Sequence, residues 1–84
     1  MGLQEKRAAK AIEDQYLGDY QKAIICYEKV IKINPNYGAA HNNLGNVLKS
    51  LGEDQKAINC YREALKIKPD SIEAQTNISG IYIS

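Results

Sequence analysis

The stretch Gly18–Pro35, GDYQKAIICYEKVIKINP, returns 34 residues later as Gly52–Pro69, GEDQKAINCYREALKIKP. The two segments share Gly, Gln, Lys, Ala, Ile, Cys, Tyr, Lys, Ile and Pro in register, ten identities in 18 positions. A fixed period of this length in helix-forming sequence marks a stacked array of helical hairpins, because one hairpin cannot bury its apolar face without a neighbour.

Within the fully written repeat, Gly45 and Ala57 are small where two antiparallel helices should cross closely. Leu44, Leu48, Ile58, Tyr61 and Leu65 recur at helical intervals as one apolar stripe. Gly18 and Gly52 each end an apolar run and precede an acidic residue, as a left-handed cap followed by a new helix start would. Pro35 and Pro69 stop the second helix of each hairpin, and Asp70 with Glu73 reads as a capping box for the next one. The spacing predicts five helices, at about 4–16, 20–33, 37–50, 54–67 and 71–83.

His41, Leu44, Gly45, Leu48, Ala57, Tyr61 and Pro69 together resemble the tetratricopeptide repeat pattern, with His41 in place of Trp and Leu48 in place of Tyr. The resemblance runs through nearly the whole chain. It implies an all-α, right-handed solenoid of antiparallel hairpins in a single domain over 1–84, with repeats at about 4–37 and 38–71 and a half repeat at 72–84. It also implies a protein–protein interaction module rather than an enzyme.

Composition narrows the function in the same direction. Eleven Lys+Arg against ten Asp+Glu leave no basic excess, which argues against nucleic acid or a membrane surface as partner. No apolar run approaches a membrane span and no signal core opens the chain, so a cytoplasmic location is expected. Cys26 and Cys60 lie one period apart on equivalent helices and read as reduced, half-buried packing residues. No paired-Cys spacing accompanies His41, so no metal or other cofactor is expected, and His41 reads as a packed ring with a hydrogen bond. No phosphate loop, nucleophile elbow or Cys–His arrangement points to catalysis.

First helices of successive hairpins line the concave side of such an array, so the polar face of 37–50 and its match on 71–83 form the candidate peptide groove: Asn42, Asn43, Asn46, Lys49, Glu73, Thr76 and Asn77. Asn is unfavourable inside a helix, and three on one helix call for a reason. Asn43 and Asn77, one period apart, could pair with both the C=O and the N–H of an extended ligand. The alternative is that they bond within or between hairpins. The run His-Asn-Asn-Leu-Gly-Asn-Val is similar to repeats of the nucleocytoplasmic N-acetylglucosaminyl transferase, and that resemblance implies an asparagine ladder. A carboxylate clamp of the co-chaperone kind is disfavoured: its places fall on Ala8, Ile12, Asn43, Glu73 and Asn77, with one retained and one reversed in charge.

Both ends of the chain depart from the pattern. The seam positions of the first helix carry Lys10, Glu13 and Asp14, while the apolar residues Ala8, Ala9, Ile12 and Tyr16 form a rotated stripe. At the other end Ile72, Ile78, Ile81, Tyr82 and Ile83 are too many for a helix with one solvated face. Three functions stay open: a peptide-binding adaptor, a self-assembling scaffold or homodimer joined through apolar terminal helices, and a targeting piece of a larger enzyme.

Overall fold

Gly52 makes the turn of the second hairpin. Its φ of +80° is the one positive value among the described residues, a conformation that costs glycine little. The Gly52 N–H donates to the Lys49 carbonyl at 3.0 Å and the Glu53 N–H to the Leu48 carbonyl at 2.9 Å, the crossed pair of bonds that closes a helix on a left-handed residue. The computed structural model describes the backbone of residues 2–83 and the side chains of residues 18–82. Its helices are α1 (Gly2–Ile33), α2 (Gly38–Ser50), α3 (Asp54–Ile67) and α4 (Ile72–Ile83), with no strand among the described residues.

The expected count of five is corrected to four, because 4–16 and 20–33 are one helix. Gly18 lacks the left-handed φ of its counterpart and the helix runs through it. The reason lies in the seam. Folding 4–16 back on 20–33 would press Lys10, Glu13 and Asp14 into the places that Leu44, Val47 and Leu48 fill in the next repeat. Burying such charges without partners costs more than the ~1 kcal/mol of a glycine inside a helix. The rotated stripe Ala8, Ala9, Ile12 and Tyr16 lies outside the described side chains, as does Ser84.

α1 packs on α2, α2 on α3 and α3 on α4, and α2 also meets α4. The core is therefore a thin wall along α2 and α3: Ala40, Leu44, Ala57, Ile58, Tyr61 and Ala64, extended by Ala74 of α4. Gly45 is essential to it. A Cβ there would fall 2.6 Å from the Tyr61 ring, and Tyr61, 0 % exposed, has no room to retreat. The equivalent turns Asn34–Tyr37 and Lys68–Ser71 are each closed by a backbone bond of 3.1 Å across the proline. α4 is capped by Ser71, whose Oγ accepts the Ala74 N–H at 3.3 Å, and not by the expected Asp70–Glu73 box. The α4 helix starts at Ile72, which puts Asp70 two residues before its first turn.

Candidate functional site

The groove face of α2 is less uniform than its sequence suggests. Asn42 is 5 % exposed and its Oδ1 accepts a 3.0 Å bond from Asn77 Nδ2, so the two carboxamides clasp α2 to α4. Among the described residues Asn43 has no such partner, because α1 runs on through Gly18 and lays no first helix beside α2 to supply one. Asn46 turns toward α3, where its Oδ1 accepts the Tyr61 hydroxyl at 2.6 Å, and this satisfies the buried phenol. Lys49 reaches along the face until its Nζ stands 3.4 Å from where a Cβ on Gly80 would be. Glu73 and Thr76 are exposed.

A cleft of ≈ 310 Å³ opens where α2 begins, α3 ends and α4 begins. One wall is Tyr37, Gly38, Ala39 and Asn42, the other is Ala64, Ile67, Lys68 and Ser71, and Glu73 stands at the rim. Of the expected groove residues, Asn42 and Glu73 line it; Asn43, Asn46, Lys49, Thr76 and Asn77 do not. Tyr37, Ile67 and Lys68 were missed by reasoning on first helices alone, although the Pro35 and Pro69 turns that flank them mark where helix ends converge.

His41 behaves as expected: its Nε2 lies 2.9 Å from the Pro35 carbonyl oxygen, which can only accept, so Nε2 carries the proton. The cysteines are free. Cys60 is half-buried, but Cys26 is exposed rather than half-buried, since no first helix folds over it. Burial pushes the Cys60 thiol up, and Glu28 and Glu63 nearby add to the effect. Among the described residues there is no metal-holding cluster, and no helix is long and apolar enough to cross a membrane.

A helical hairpin that repeats every 34 residues, with small residues at its crossing and a cleft where its two helices meet the start of the next, defines a repeat protein of the interaction type. Residues 38–71 match the tetratricopeptide repeat model, and residues 16–52 match a second one for the same repeat. The chain belongs to the tetratricopeptide repeat family, whose repeats mediate protein–protein interaction. It is similar to the crystal structure of MamA, at 34 % identity and a TM-score of 0.76 over 83 % of this chain. The chain spans 41 % of that protein's length. No curated protein matches it.

Proposed function

We propose that this chain is an adaptor that holds an extended peptide segment of a partner protein across α2 and α4, and that residues 1–84 act in this as one repeat domain. The observation that carries the reading is the cleft, whose apolar walls of Tyr37, Ala39 and Ile67 are flanked by one cation, Lys68, and one anion, Glu73. Such a lining takes a short apolar side chain while the flanking charges fix direction. From the cleft the ligand continues over the face of Asn42, Asn43, Asn46, Lys49, Glu73, Thr76 and Asn77. There Asn43, whose carboxamide has no partner among the described residues, offers a donor and an acceptor to one peptide unit. Asn42 and Asn77 hold the platform by their mutual bond rather than by seizing the ligand.

Panning a random peptide library on the purified chain tests this. Recovered peptides should lose ~10-fold affinity in Asn43→Ala and in Glu73→Lys, about 1.4 kcal/mol, with the thermal midpoint unchanged. Recovery of no peptide, or equal binding by both variants, rejects the reading. A second reading, self-association, is favoured by the uncovered apolar faces of α1 and α4.

A further inference from the structure

The cleft has an unfinished twin. Val30, Ile33, Asn34 and Tyr37 surround an open hollow of ≈ 290 Å³ at the end of α1. They are the residues one period before Ala64, Ile67, Lys68 and Ser71, the α3 wall of the complete cleft. The complete cleft gains its opposite wall from Tyr37, Gly38, Ala39 and Asn42 of the hairpin partner α2. At the hollow that wall is missing, because α1 runs straight and lays no first helix against its own second half.

α4 is the reverse case, a first helix whose outer face leaves Ile72 and Ser79 exposed among the described residues. On α2 that face touches α3 at two defined places. A Cβ on Gly38 would lie 3.6 Å from Ile67, and one on Gly45 would lie 2.6 Å from the Tyr61 ring. Their counterparts on α4 are Ile72 and Ser79, followed one turn on by Tyr82, whose hydroxyl accepts a 3.1 Å bond from Arg62 of α3 while its ring stays open. The counterparts of Ile67 and Tyr61 on α1 are Ile33 and Tyr27. Ile33 at 85 % and Ile72 at 78 % exposure are the most open of the large apolar side chains described, and the period pairs them with each other.

We propose that copies of this chain join head to tail, the outer face of α4 (Ile72, Ser79, Tyr82) seating on α1 (Tyr27, Ile33) of the next copy in the register that α2 keeps on α3. This deepens the self-association reading and shares Ser71, Glu73 and Thr76 with the proposed peptide surface, whereas Ile33 and Ile72 belong to the joint alone. Each joint completes the hollow, with Ser71, Ile72, Glu73 and Thr76 of one copy standing where Tyr37, Gly38, Ala39 and Asn42 stand in the finished cleft. Ser79 and Ile72 are larger than Gly45 and Gly38, so the two helices sit farther apart than α2 and α3, within the ~8–10 Å range of packed helices. A reciprocal exchange of residues 4–16 between two copies is the rival occupant of the same face. It would again place Lys10, Glu13 and Asp14 in the seam, whereas α4 brings Ile78, Ile81 and Tyr82 to those positions. The joint is heterologous, with different surfaces on the two sides, so it propagates instead of stopping at a symmetric pair.

Sedimentation velocity on the wild type and on Ile33→Glu and Ile72→Glu tests this. Both side chains are exposed, so neither change disturbs the fold, and circular dichroism should show unaltered helicity. The wild type is expected to grow in size with concentration. Each variant alone should be monomeric, its joint weakened at least tenfold, and an equimolar mixture should form dimers and nothing larger, because each variant retains the surface the other has lost. A wild type that stays monomeric at all concentrations overturns self-association altogether. Dimers of either variant alone, or a mixture that stays monomeric, overturn this joint while leaving another geometry standing.

Discussion

Asn42 and Asn77 show how one residue type takes two jobs at successive places in a period. Asn77 stands in the position of Asn43, yet it meets a carboxamide of the preceding first helix, α2, whereas α1 runs on as one helix and offers Asn43 no such neighbour. Removing Asn77 leaves the nearly buried Asn42 oxygen without its donor, and an unsatisfied buried polar group costs ~1–3 kcal/mol. We therefore expect Asn77→Ala to lower the unfolding free energy read from urea titration by an amount in that range, with a lower midpoint, and Asn43→Ala to leave both in place. Equal midpoints for Asn77→Ala and the wild type would remove the clasp from the account. The sequence announced the polar face but not this division, since burial of Asn42 depends on a helix 35 residues away. Gly45 was easier to read: glycine in an apolar stripe needs a close neighbour, and the Tyr61 ring is there.

At the scale of elements, Gly18 and Gly52 are the instructive pair. Both precede an acidic residue and the same Gln-Lys-Ala-Ile run, and their local signals are alike. The expected bounds of α2, α3 and α4 fall within a residue of those observed, because each of these helices has an apolar seam that agrees with its punctuation. α1 does not: the turn signal at Gly18 is outvoted by seam positions that no hairpin would bury. The two glycines should accordingly respond in opposite ways to alanine. Gly18→Ala has nothing within 4 Å of the new Cβ and lies in helix, so thermal melts should show a gain of ~0.5–1 kcal/mol. Gly52→Ala forces a left-handed alanine at φ +80° and should cost ~1–2 kcal/mol. A destabilised Gly18→Ala would contradict the single-helix description of α1, and a stabilised Gly52→Ala would contradict the left-handed turn between α2 and α3.

For the molecule as a whole, stability should fall on the alkaline side. Burial raises both the Cys60 thiol, usual value 9.0, and the Tyr61 phenol, usual value 10.0. The unfolded chain releases these protons at lower pH than the folded one. The stability they contribute is complete below the usual values and is lost as pH rises through them toward the raised ones. Urea unfolding at pH 7, 9 and 10.5 should show the decline, and Cys60→Ala should delay its onset; a flat profile would exclude the effect.

The order in which the helices touch has a consequence for how the chain finds its native state. Contacts join elements adjacent or next-but-one in sequence, so no stretch much longer than a single period must be closed to form any of them. Closure entropy grows only by ~0.6 kcal/mol for each doubling of the loop, and topologies dominated by nearby partners cross their barriers quickly. Assembly of α2 with α3 can then serve as the nucleus, onto which the flanking helices zip outward one at a time.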